Sequence, residues 1–121
     1  MSVHIENTSK SFGPTKALDH VSLQIPDGCL TTLLGPSGSG KTTPLRILAG
    51  LESADRGSGP IRFFGHDVAG LPPRRRGIGF VFQHYALFPH MTVFDNIAFG
   101  LTVGPRPRRR RREIGERVQE L

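Results

Sequence analysis

Apolar and polar residues alternate twice near the N-terminus, over Val3 to Ser9 and again over Ala17 to Ile25. A period of two lines one face of a pleated strand, so both segments are expected as strands. The turn-forming set Ser11-Phe12-Gly13-Pro14 between them predicts an antiparallel pair. A short apolar run, Leu30-Thr31-Thr32-Leu33-Leu34, then reads as a strand ending at Gly35, with Cys29 as a small buried residue at its start. The period changes next. Leu45, Ile47, Leu48 and Leu51 recur at helical spacing, from a start near Gly40 to a terminator at Gly50. Ser53 to Pro60 reads as a polar, Gly-rich loop, Ile61-Arg62-Phe63-Phe64 as a short strand, and Pro72 to Gly77 as a basic turn. Ile78 to Phe82 is a further apolar strand, ending at Gln83.

Thr92-Val93-Phe94-Asp95 has the form of a capping box, with Thr92 as the cap and Asp95 in the first turn. Val93, Phe94, Ile97, Ala98 and Leu101 then share one helical face. Beyond Gly104-Pro105, the spacing of Ile114, Val118 and Leu121 predicts another helix. Its pattern stops after two turns, as expected if a longer protein was shortened. No internal repeat is evident.

With 121 residues, 36% hydrophobic and 21% charged, the chain has room for one soluble domain with a modest core. A lone cysteine cannot form an internal disulfide, and no apolar run reaches the length of a membrane span. The N-terminus lacks a basic stretch followed by an apolar one, so a cytoplasmic protein is the expectation. The net charge of +6 is unevenly spread: residues 104–121 hold seven Arg and three Glu, net +4, leaving +2 for the rest. The run Arg108 to Arg112 reads as a solvated, self-repelling tail, with contact to nucleic acid or anionic lipid as the alternative.

Candidate chemistry centres on Gly35-Pro36-Ser37-Gly38-Ser39-Gly40-Lys41-Thr42-Thr43, which fits G-x-x-x-x-G-K-[ST] between an expected strand and an expected helix. The glycines let the backbone turn tightly, so that successive N–H groups point inward at phosphate oxygens. Lys41 is placed to reach the β- and γ-phosphates, and the Thr42 hydroxyl to ligate Mg²⁺. The helix adds the positive end of its dipole. A nucleoside triphosphate, ATP with Mg²⁺, is the expected ligand. The histidines, His84 and His90 included, lack Cys or carboxylate neighbours at metal-ligand spacing and read as surface or interface residues.

These segments in this order resemble the ATP-binding subunits of ABC transporters. The resemblance rests on Lys10-Ser11-Phe12-Gly13, the loop Gly35 to Thr43, Ile47-Leu48-Ala49-Gly50-Leu51-Glu52 and Gly79-Phe80-Val81-Phe82-Gln83. The stretch from Gln83 to Leu101 looks most like that of sulfate/thiosulfate importers. The implied fold is α/β, a P-loop NTPase of ABC type. Only its N-terminal part would be present: an antiparallel β subdomain, the P-loop strand–loop–helix and the Q-loop region. Residues 1–103 would be that part and 104–121 an Arg-rich, helical tail. By the same resemblance Phe12 stacks on adenine; its residue context alone fits a core aromatic beside a turn equally well. Gln83 matches the Q-loop glutamine, which reaches Mg²⁺ or the attacking water, and joins Lys41 as a catalytic candidate. Residues His84 to Phe99 correspond to the surface that receives the membrane subunits, with Tyr85, Leu87, Phe88 and Met91 as a partly apolar patch. The resemblance further implies pairing with a second ATP-binding subunit and a peripheral location on the cytoplasmic face of the inner membrane.

The departures bear on activity. The sequence contains no Leu-Ser-Gly-Gly-Gln segment, no apolar strand ending Asp-Glu and no later switch histidine. Positioning and electrostatics supply most phosphoryl-transfer catalysis, so this chain by itself is not expected to turn over ATP usefully. A nonhydrolytic nucleotide-binding remnant is the alternative function, and a basic nucleic-acid-binding protein using the Arg-rich tail is another. Pro44 replaces an aliphatic residue, and a proline costs about 3 kcal/mol in a helix interior but little in the first turn. A slight weakening of nucleotide affinity is expected from it. The Ser53–Pro60 loop is about two residues longer than the family pattern, at a place where insertions are usually tolerated. Open apolar strand edges are expected to make the chain marginally folded or insoluble.

Overall fold

The computed structural model describes residues 2–103 and 111–121, and it forms two compact units, residues 1–80 and 81–121. Arg106 and Arg108 to Arg110 of the basic run lie outside the described residues.

The first unit is built on the alternating segments. Strands β1 (Val3–Phe12) and β2 (Thr15–Ile25) pair antiparallel, from Val3 opposite Ile25 to Phe12 opposite Thr15, around a tight turn at Gly13-Pro14. The register shifts after Ile5, after Thr8 and after Lys10. Asn7 and His20 take left-handed backbone angles near these shifts, and their side chains hydrogen-bond at 2.8 Å. Such irregularities sharpen the local twist. Strands β3 (Ile61–Phe63) and β4 (His66–Asp67) extend the sheet in the order β2-β1-β3-β4. Helix α1 (Thr42–Ala49) buries Ile47 and Leu48 with Ile5, Leu18, Ile61, Phe63 and Val68 in one apolar core.

The Ser53–Pro60 loop is not a loose insertion. Asp55 N–H donates to the Ser9 carbonyl at 2.9 Å, Ser9 N–H to Ser58 Oγ at 3.1 Å, and Glu6 N–H to the Pro60 carbonyl at 3.3 Å. The loop therefore runs along β1 as a pseudo-strand. The basic turn contains one helical turn, α2 (Pro73–Arg76), closed by Gly77 in the left-handed region.

Two expected strands do not form. Residues 30–34 and 78–82 carry no strand pairing, and Leu30 and Leu34 are 97% and 87% exposed. A strand exists through its ladder, and no described strand lies beside either run to supply one. Cys29 is exposed rather than buried for the same reason.

The second unit holds α3 (Val93–Thr102) and α4 (Arg111–Gln119), which pack together, with Val118 buried on α4. Thr92 caps α3 as its sequence predicts: Asp95 N–H donates to Thr92 Oγ1 at 3.1 Å, and that hydroxyl donates to Asp95 Oδ2 at 2.6 Å. Arg112–Glu116 and Arg117–Glu120 ion pairs line α4.

Candidate functional site

The loop Gly35–Thr43 connects the extended run to α1. Gly38 and Gly40 have φ of 79° and 86°, angles that side chains with a Cβ rarely adopt. Gly40 is doubly required, because a Cβ there would stand 2.6 Å from the Ala17 carbonyl oxygen of β2. The hairpin thus seats the loop. Within it, Ser39 N–H donates to the Pro36 carbonyl at 3.3 Å and Thr43 N–H to the Gly40 carbonyl at 3.1 Å. The amides of Gly38, Gly40, Lys41 and Thr42 donate to no acceptor among the described residues. Together with the N-terminus of α1, whose first turn holds no acidic residue, they form a cradle of positive potential.

Lys41 caps this cradle. Its Nζ donates to the carbonyls of Gly35 (2.8 Å) and Pro36 (2.5 Å) and to Ser39 Oγ at 3.2 Å. The ammonium is held over the loop instead of extending into solvent. Thr42 is exposed at the first helical position and Thr43 half-buried at the second. Pro44 is the third residue of α1, where the missing N–H would have had no helical acceptor. Its cost is therefore that of a first-turn proline, a small one.

Phe12 ends β1 with 47% of its surface exposed, so it is not the core aromatic that its context also allowed. It belongs to the same unit as the loop, and its hairpin partner strand touches Gly40. Gln83 is exposed in the second unit, on a segment where Tyr85 and Ala86 both take left-handed backbone angles. Tyr85 and Leu87 stand 78% and 72% exposed. Phe88 is held by tilted packing on Phe99 at 4.6 Å, and Met91 is half-buried. Val93, Phe94 and Ile97 of α3 are exposed as well. His84 and His90 lie on the surface.

Two supporting residues carry no motif signal. Asn96 organises the loop before α3: its Oδ1 accepts from Phe88 N–H at 2.9 Å, and its Nδ2 donates to the carbonyls of Phe88, Met91 and Thr92. Arg76 is buried, and its guanidinium donates to the carbonyls of Ile47 (2.7 Å) and Leu48 (3.0 Å) at the end of α1. It also donates to those of Leu71 (2.9 Å) and Ala69 (3.0 Å). Burial lowers the Arg76 pKa, and nearby Asp67 opposes the shift. A cation at a helix C-terminus also complements the dipole. A run of three arginines reads as a solvated turn, and nothing in their order singles out the third.

Comparison with known proteins fits this geometry. The ABC transporter family matches residues 18–121. Over its whole length the chain is 58% identical to the sulfate/thiosulfate import ATP-binding protein CysA 2 of Shewanella oneidensis, covering 34% of that protein. It is 65% identical over 109 residues to the sulfate/thiosulfate import ATP-binding protein CysA of Escherichia coli K12. That match covers 90% of this chain and 29% of the relative. Among solved structures, the ATP-binding cassette MJ0796 bound to ADP and Pi superposes with a TM-score of 0.84 at 29% identity, over 98% of this chain and 54% of that one. The chain belongs to the ABC transporter family and has the fold of the N-terminal part of its ATP-binding cassette. It spans about a third of the length of the curated relatives it matches.

Proposed function

We propose that this chain is the nucleotide-binding portion of the ATP-binding subunit of an ABC importer, with sulfate or thiosulfate as the transported solute. One observation carries the reading: a Gly-rich loop in which the amides of Gly38, Gly40, Lys41 and Thr42 meet no acceptor among the described residues, at a helix N-terminus beneath a fixed lysine ammonium. That donor set suits a polyphosphate. Residues 35–43 would wrap it with main-chain N–H groups, and Lys41 would exchange its loop carbonyls for phosphate oxygens. The Thr42 hydroxyl and the Gln83 amide oxygen are neutral oxygen donors of the kind Mg²⁺ accepts, and the metal would neutralise phosphate charge there. The exposed face of Phe12 would receive the adenine.

These residues account for binding rather than turnover, since the sequence holds no Asp-Glu pair to orient a water. Residues 1–103 would act as the N-terminal part of the nucleotide-binding domain and 104–121 as a basic, partly helical tail. The exposed Tyr85 and Leu87 with Phe88 and Met91, inside the segment His84 to Phe99, would seat the membrane subunits. A second ATP-binding subunit would pair with the first, at the cytoplasmic face of the inner membrane. The relatives' names support the solute, and the dimeric structure reported for MJ0796 supports the pairing.

The test is calorimetric titration with Mg-ATP. Lys41→Ala is expected to weaken binding by on the order of 100-fold, since a lysine–phosphate pair near 4 Å is worth up to about 4 kcal/mol at intermediate dielectric. Unchanged affinity in that variant removes the assignment.

A further inference from the structure

Lys10 stands two residues before Phe12 on β1, and the sequence assigns it no role of its own. Its Nζ lies 2.7 Å from Glu52 Oε1, donates to the Ser53 carbonyl at 2.8 Å, and stands 5.1 Å from the centroid of the Phe12 ring. The side chain is only 13% exposed, although it carries a charge, and it lies on β1, an inner strand of the sheet. Both anchors follow directly on the end of α1, where Leu51 and Glu52 N–H groups donate to the Arg46 carbonyl. The ammonium therefore ties the end of the phosphate-loop helix to the aromatic that closes β1.

A cation within about 6 Å of a ring centroid is attracted to the ring's negative face, so it restrains the ring and draws π density toward itself. With that side held by Lys10, Phe12 keeps nearly half its surface exposed. The polarised ring is then a better stacking partner for an electron-rich purine, and a ring restrained beforehand loses less rotamer freedom on binding. We infer that Lys10 is a positioning residue for base recognition: anchored by Glu52 and Ser53, it holds and polarises Phe12 so that the ring's free side accepts the purine of the nucleotide. The inference rests on the proposal that Phe12 and the Gly35–Thr43 loop form a nucleotide site.

Two ligands separate the base from the phosphates: Mg-ATP and Mg-tripolyphosphate, titrated into the 121-residue chain and its variants. Phe12→Ala is expected to weaken ATP about ten-fold and leave tripolyphosphate unchanged. Lys10→Met should weaken ATP about three- to five-fold, again without affecting tripolyphosphate, whereas Lys10→Arg retains ATP affinity because guanidinium also sits on aromatic faces. Should Phe12→Ala bind ATP normally, the base-stacking proposal itself falls. A normal Lys10→Met beside a weakened Phe12→Ala overturns the role of Lys10 alone, as does equal loss of both ligands, which would mean a general effect on the fold. If Lys10→Met does not give a folded protein by circular dichroism, Glu52→Gln substitutes for it. There an ATP-only loss of about two-fold supports the inference, and an unchanged ratio of the two affinities rejects it.

Discussion

Arg76 does at the residue scale part of what a capping motif does elsewhere: it donates to the Leu48 carbonyl at the end of α1 and to that of Ile47, which also accepts from Gly50 N–H. Four main-chain oxygens from two stretches of chain converge on one guanidinium. Replacing it by methionine removes a donor from each of those oxygens, and each buried unsatisfied group costs about 1–3 kcal/mol. Arg76→Met is expected to lose about 3 kcal/mol of stability, read as a lower urea midpoint. Arg76→Lys should recover little of that, because a single ammonium cannot span four acceptors set in a planar fork. The pair Lys10–Glu52 has a pH signature. The hydrogen bond from Lys10 lowers the Glu52 pKa, with smaller help from the Lys10 and Arg46 charges, against a partial desolvation penalty. A depressed carboxyl pKa contributes stability above its unfolded value that is lost as pH falls through the folded value. Melting temperature should therefore drop below about pH 4.5, the ordinary Glu value, and Glu52→Gln should flatten part of that limb.

At the scale of elements, propensity and capping account for what forms, and pairing accounts for what does not. The hairpin, α1 and α3 each carry their own determinants: alternation around Gly13-Pro14, helical spacing up to the Gly50 cap, and the Thr92–Asp95 box. The segment before α3 depends instead on one amide. Asn96 bonds to Phe88 through both N–H and carbonyl and bridges to Met91 and Thr92. Asn96→Ala is expected to leave α3 helical by circular dichroism while amide exchange of residues 88–92 rises at least about ten-fold, the loss of one net hydrogen bond or more. Equal protection in the variant would mean that Phe88 packing on Phe99 holds the loop unaided. Nothing in the local pattern separated Asn96 from its neighbours, because its role depends on a turn bringing Phe88 back toward the helix.

Across the whole molecule, the exposed apolar runs decide behaviour in solution. Leu30 and Leu34 of the first unit are exposed on a run without strand pairing, and Val81, Tyr85 and Leu87 of the second unit are exposed as well. Unpaired strand-competent segments with apolar side chains recruit other chains. The 121-residue protein is expected to self-associate at micromolar concentration, with sedimentation velocity showing species larger than the 13.3 kDa monomer. Leu30→Lys with Leu34→Glu should shift the distribution toward monomer without changing Mg-ATP affinity, since neither side chain belongs to the loop cradle. A purely monomeric wild-type protein would contradict this.

The sequence by itself determined the site's chemistry and its local scaffolding. The Gly-Lys-Thr spacing, the two-residue and helical periods and the capping residues act over a few positions, and such short-range rules are visible without coordinates. Tertiary structure alone decided which apolar runs became strands, because a run such as Leu30–Leu34 looks the same whether or not a partner lies beside it. It also decided which of three consecutive arginines is buried, and that Lys10 meets both Phe12 and Glu52, residues separated by the whole phosphate loop and its helix. Those outcomes turn on hydrogen-bond partners supplied from distant parts of the chain.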